Sequence, residues 1–295
     1  MELLIRIRPV NIFILAGVQY LLRWTVIIPF LKNAGMESSV HEPFFFLIVL
    51  SVILIAAGGY LINDLKDVQI DQVNKPGAII SRKQIITGYW ILTGAGILTA
   101  IFLSVKLQLN IFWQINLLSA ILLFFYPDVL KKIPVVGNLI ICTLTVLVFF
   151  LILMTDRNAF IYEEIRLVVF AYSFFAFMMT WVRELIKDME DIEGDRQFGR
   201  KTIPAVSGIL FSKFLVVFLV LITLSAIILI QIMRSQWNDP YPFMYVVLFI
   251  ELPLLLLISG IWKFNSKKRY HQLSSLAKAI MGTGILSMLV FHLLN

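Results

Sequence analysis

Residues 43–71 read PFFFLIVLSVILIAAGGYLINDLKDVQID: twenty residues without a charge, then an asparagine and three aspartates. A helix rises about 1.5 Å per residue, so twenty apolar residues cover about 30 Å, the thickness of a bilayer's hydrocarbon core. Past Ile62 the character changes. Asn63, Asp67 and Asp71 lie four apart, which on a helix places them on one face, and Asp64, three before Asp67, borders that face. If the span continues as a helix, its end carries a strip of oxygen ligands.

The rest of the chain repeats the apolar theme. Of 295 residues, 60% are hydrophobic and only 15% charged, and the mean hydropathy is +0.90. That composition excludes a soluble domain, and the dyad alternation of a membrane β-barrel is absent. The expectation is an all-α polytopic membrane protein with nine spans, near 10–31, 43–62, 84–104, 107–126, 134–154, 164–185, 208–232, 241–263 and 273–294. No linker divides it, so residues 1–295 read as one domain. The first span is too long for a cleavable signal and carries Arg23. The single cysteine, Cys142, allows no disulfide framework, and His41, His271 and His292 lack ligand spacing.

The net charge of +7 needs no nucleic acid, because basic residues gather beside spans on the inner side of a membrane. With the N-terminus inside, 18 of the 25 lysines and arginines fall in loops 1–9, 63–83, 127–133, 183–213 and 263–271, against five on the other side. The expected orientation is N-terminus cytoplasmic and C-terminus opposite, in the inner or plasma membrane of a prokaryote.

A second acidic cluster lies in RELIKDMEDIEGDRQFGRKTIP, residues 183–204. Glu184, Asp188, Asp191 and Asp195 are spaced four, three, four, again a single helical stripe. Asp67 and Asp71 recur as Asp191 and Asp195, and both pairs follow even-numbered spans, so both are expected in one compartment. Two carboxylate clusters suit Mg²⁺, which is commonly held by one or two carboxylates and substrate phosphates. Around a diphosphate, such ions would turn it into a leaving group. Lys75, Arg82, Lys131, Lys132, Arg183, Lys187 and Arg200 supply cations for phosphate oxygens. A cation-coupled transporter, from a different functional class, would carry its acids at mid-span rather than at span ends.

With these residues in hand, the sequence resembles the UbiA superfamily of intramembrane prenyltransferases over nearly its whole length. NDLKDVQID matches the family's Asn-x-x-x-Asp-x-x-x-Asp motif, and DIEGDRQFGRKT matches its Asp-x-x-x-Asp motif with the following Gly and Thr. YPDVLKKIPVVGN, residues 126–138, is similar to its tyrosine–lysine segment. RPVN at 8–11 and RELIKDMEDIEGD look most like the geranylgeranylglyceryl phosphate geranylgeranyltransferase branch. In one departure, Ala78 stands where an arginine is expected, with Arg82 or Lys83 nearest to replace it.

The resemblance implies nine helices around a central cavity under a cytoplasmic cap. It implies a Mg²⁺ site drawn from Asn63, Asp64, Asp67, Asp71, Asp188, Asp191 and Asp195. Tyr126 and Lys131 would join the four motif aspartates in catalysis, with Asn63, Arg8, Asn11, Lys75, Arg82, Arg183, Lys187, Arg200 and Lys201 contacting substrate. The reaction implied is transfer of a prenyl group from a polyprenyl diphosphate to a lipophilic acceptor. A glycerol phosphate-type hydroxyl is the first choice. An aromatic acceptor, as in quinone or tocopherol synthesis, is the alternative and asks less of a general base.

Overall fold

The computed structural model describes residues 6–74, 81–233, 240–263 and 265–294, and for positions 67–74 and 294 the backbone alone. Described residues form helices and no strand. The nine longest are α1 (Pro9–Asn33), α2 (Glu42–Asn74), α3 (Arg82–Leu107), α4 (Asn110–Phe125), α5 (Val136–Thr155), α6 (Glu163–Glu190), α7 (Ile203–Met233), α8 (Pro240–Lys263) and α9 (Lys267–Leu294). Eight are long and apolar enough to cross a bilayer, and α4, at 16 residues, is the shorter apolar one. Each expected span coincides with one of these helices. The differences lie at the ends: α2 runs on to Asn74 and α6 to Glu190, because a helix bonds its own backbone and does not need lipid around it.

The chain divides into two compact units, residues 1–132 with 147–169 and residues 133–146 with 170–295. In the first unit α2 packs on α3 and α4, and α1 on α2. The α2–α3 contact is a close one. A Cβ on Gly96 would lie 2.8 Å from Ile55 Cγ1 and 3.0 Å from the Ser51 carbonyl, and one on Gly58 would lie 2.2 Å from Thr93 Oγ1. Small residues let membrane helices approach in this way, where hydrophobic expulsion adds little.

Arg23, a charge inside α1, is 4% exposed. Its guanidinium donates from Nε to Glu42 Oε1 (3.0 Å), from Nη1 to Ser38 Oγ (3.1 Å) and from Nη2 to the Val40 carbonyl (2.6 Å), and it stacks over the Phe45 ring. The loop after α1 also grips Asp156, which accepts from Ser38 Oγ and Ser39 Oγ and caps the short helix Arg157–Ile161. These bonds offset part of the desolvation cost of a buried charge and tie the end of α1 to the start of α2.

In the second unit the core joins four helices: Met179, Val182, Leu185 and Ile186 of α6, Val216 and Val220 of α7, Leu254 and Leu257 of α8, and Ala277 and Ile280 of α9. α8 contains a π-helical turn, Val247–Glu251. Thr283 Oγ1 of α9 donates to the Phe249 carbonyl within it, at 2.8 Å. Such turns persist where a neighbouring side chain takes up a displaced backbone group.

Candidate active site

The first acidic motif sits at the end of α2 opposite Glu42. Helical backbone continues through it to Asn74, so positions 63, 67 and 71 follow one another at intervals of about one turn. Below it, Leu61 and Ile62 form a small buried cluster with Ile85 and Tyr89 of α3, against which Ile7 and Phe124 pack. Asn63 is half-buried. Asp64 is engaged by two arginines from before α1: Arg6 Nη1 at 3.4 Å from Oδ2 and Arg8 Nη2 at 3.2 Å from Oδ1. Arg8 also lies over the Tyr60 ring, 4.9 Å from its centroid, and its carbonyl accepts from the Asn11 N–H at 2.8 Å. The side chains of Asp67 and Asp71, and all of Lys75 and Ala78, lie outside the described residues.

Two positions after Asp64, Lys66 pairs with Asp128, in the segment that carries Tyr126 and Lys131. Tyr126 is buried, Lys131 half-buried and Lys132 exposed. The backbone N–H of Lys131 bonds the Tyr126 carbonyl at 2.8 Å. Leu130–Lys132 is a single 3₁₀ turn within the expected loop, so the two lysines diverge by roughly 120°. Arg82 is exposed on the first turn of α3.

The second motif corrects the expected single stripe. α6 ends at Glu190, and Asp191, at φ −97° and ψ 8°, becomes the N-cap of a separate short helix, Ile192–Gln197. Asp is a poor helix-interior residue, which suits it to this junction, but its side chain makes no capping hydrogen bond here. Asp195 therefore belongs to a different helix from Asp188 and Glu184. It is 3% exposed, accepts from Thr202 Oγ1 at 3.1 Å and pairs with Arg200, which is 7% exposed, at 3.7 Å. The turn that makes this possible is Gly199 at φ +67°, a conformation open to glycine without a Cβ penalty. Asp188 accepts from Asn138 Nδ2 at 2.9 Å. Arg183 pairs with its neighbour Glu184. Lys187 is half-buried and Lys201 exposed.

In the first unit, then, the structure gathers Arg8, Asp64 and Asn63, and links the Lys131 segment to α2 through Asp128. In the second it gathers Asp195 and Arg200, and links Asp188 to the end of the Tyr126–Asn138 segment. Sequence reasoning did not single out Arg6, Tyr60, Asp128 or Asn138, whereas Thr202 was the threonine of the second motif. Asn138 and Asp128 lay within the quoted tyrosine–lysine segment, and RIRP offered Arg6 beside Arg8. The donor set of both motifs is carboxylate and amide oxygen, which fits Mg²⁺. Among the described residues, no three His, Cys, Asp or Glu side chains converge on a metal site.

Each acidic motif thus follows an apolar helix and is set among arginines and lysines. The sequence model of the UbiA prenyltransferase family matches residues 12–278. The chain belongs to that family. It is similar to the digeranylgeranylglyceryl phosphate synthase of Saccharolobus solfataricus, 34% identical over 174 residues, 58% of this chain and 60% of that protein. That alignment spans less than two thirds of the relative's length. The synthase of the same name from Methanospirillum hungatei is 27% identical over 98% of this chain and 95% of its own. Among solved structures, a digeranylgeranylglyceryl phosphate synthase superimposes with a TM-score of 0.67 at 23% identity, covering all of both chains. A UbiA homologue from Archaeoglobus fulgidus bound to DMAPP and Mg²⁺ gives 0.65 at 16% identity, covering 98% and 100%. At these identities the structural likeness is one of fold: this UbiA-family chain is an all-helical integral membrane protein.

Proposed function

We propose that the protein transfers a prenyl group from a polyprenyl diphosphate to the hydroxyl of a glycerol phosphate-type lipid, making an ether. The observation that carries this reading is the pair of all-oxygen acidic motifs, each ending an apolar helix, each accompanied by arginines, and each in the family's order. In the reaction the allylic C–O bond breaks and its electron pair leaves with the diphosphate. The acceptor oxygen then bonds the allylic carbon, and the hydroxyl proton passes to solvent. Asn63, Asp67 and Asp71 of the first motif and Asp188, Asp191 and Asp195 of the second are the proposed Mg²⁺ ligands. Mg²⁺ held by these residues would supply the positive charge that makes the diphosphate a leaving group.

This chain's own cations share that work. Lys131, half-buried beside Tyr126, stabilises negative charge as the diphosphate departs. Arg8, Asn11, Lys75, Arg82, Arg183, Lys187, Arg200 and Lys201 are the proposed donor and acceptor contacts. The oxygen acceptor is favoured because the relatives at 34% and 27% identity are both named digeranylgeranylglyceryl phosphate synthase. The Archaeoglobus homologue's ligands support the diphosphate donor and the metal. The test is purified protein given a panel of polyprenyl diphosphates with glycerol phosphate-type and aromatic acceptors, read by mass spectrometry with and without Mg²⁺. An ether product that needs Mg²⁺ is expected. A prenylated aromatic as the sole product would move the reading to the quinone type, and no product with any pair would overturn it.

A further inference from the structure

The geometry points to Asp64 as a positioning residue: it holds Arg6 and Arg8 of the N-terminal arm against the first acidic motif, and it is not itself a metal ligand. This rests on the proposed donor site at that motif.

Three consecutive residues of the arm meet the end of α2. Arg6 and Arg8 both donate to Asp64, one to each carboxylate oxygen. Ile7, between them, packs on the buried cluster of Leu61, Ile62, Ile85 and Tyr89. Arg8 has a second hold, its guanidinium lying over Tyr60, one turn before Asp64 on the same helix.

The backbone says the same. Arg8 is a non-glycine residue at φ 53°, ψ 66°, directly before Pro9. The left-handed region costs an ordinary L-residue about 1–2 kcal/mol, and such conformations persist where surrounding contacts over-determine them. Here those contacts are Asp64 and Tyr60. With both oxygens facing guanidinium groups, Asp64 is a poor partner for a divalent cation. It is a good device for fixing two cations beside Asn63, where the anionic donor is proposed to bind.

Two readouts test this. The Arg6–Ile7 bond has the sequence that trypsin cuts, whereas Arg8–Pro9 resists it, so cleavage after Arg6 reports release of the arm without reference to activity. Asp64→Asn should be cut there about tenfold faster than wild type, and Asp64→Glu close to the wild-type rate. In kinetics, Asp64→Asn should raise the donor KM about tenfold, the loss of one charge-assisted hydrogen-bond set, with kcat and the Mg²⁺ concentration for half-maximal rate little changed. Asp67→Asn, measured beside it, should raise the Mg²⁺ requirement.

In an Arg6→Gln, Arg8→Gln background, adding Asp64→Asn should change KM no further, since the three act as one unit. Unchanged cleavage of Asp64→Asn would overturn the tether. A Mg²⁺ requirement raised as much as in Asp67→Asn would return Asp64 to the metal ligands. If no prenyl transfer is found at all, the proteolysis still decides the tether. If the tether fails, the Mg²⁺ dependence of Asp67→Asn still judges the proposed function.

Discussion

Lys131 and Lys132 are adjacent and identical in type, yet one is half-buried beside Tyr126 and the other exposed. If Lys131 contacts the leaving diphosphate, Lys131→Ala should slow turnover on the order of 100-fold, the usual effect of losing one preorganised donor to developing charge. Lys132→Ala should stay near the wild-type rate, as a residue that merely flanks the membrane. Equal, near-wild-type rates would remove Lys131 from the catalytic set. The motif aspartates call for a harsher outcome. Asp67→Ala, Asp71→Ala, Asp191→Ala and Asp195→Ala should each abolish turnover while the protein stays monodisperse in detergent. Chelation with EDTA should stop the wild type reversibly. A fully active Asp67→Ala, Asp191→Ala double variant would defeat the Mg²⁺ assignment. Asp195 carries a second burden, because its loss also breaks its ion pair with buried Arg200; an added stability loss of about 3–5 kcal/mol should separate it from Asp191.

At the scale of elements, two joints hold the units' helices in place. Arg23 connects α1 to the chain entering α2 through three hydrogen bonds. Arg23→Ala should cost about 1–3 kcal/mol, measured as a lower Tm in detergent, with activity per folded molecule retained; an unchanged Tm would mean that the network contributes nothing net. The other joint is the loop after the second motif. Gly199→Val places a β-branched residue at φ +67°, where strain of about 1–3 kcal/mol is expected. The strain should loosen the grip of Arg200 and Thr202 on Asp195. Turnover should fall more than for Gly35→Val, which has a similar φ of +70° in the loop after α1; equal effects would show that the loop's shape does not matter to the reaction.

For the whole molecule, the asymmetry of basic residues sets the orientation to be tested. Single cysteines placed at the exposed positions Lys83 and Lys201, in a background where Cys142 is removed, should react with an impermeant reagent from the cytoplasmic side. One at Asn295 should react from the opposite side. Opposite accessibility of positions 83 and 201 would mean that the two acidic motifs serve different compartments, and the proposed reaction would lose its basis. Each compact unit carries one of the two motifs, which gives physical content to the recurrence of Asp67 and Asp71 as Asp191 and Asp195.

The sequence by itself determined that this is a set of apolar helices and where the apolar part of each lies, though not that α2 runs twelve residues past its expected end, and that acids cluster at the ends of α2 and α6. Those are local signals: span length answers to bilayer thickness, and spacing answers to helical pitch. Tertiary structure decided what the acids touch. Asp64 meets arginines 56 and 58 residues away, and Asp188 meets Asn138 at a separation of 50. No periodicity within one helix encodes such partners. The break at Asp191 is the instructive case. The four, three, four spacing runs through it undisturbed, and only the fold of the Gly199–Thr202 loop back onto Asp195 places that carboxylate on a helix of its own.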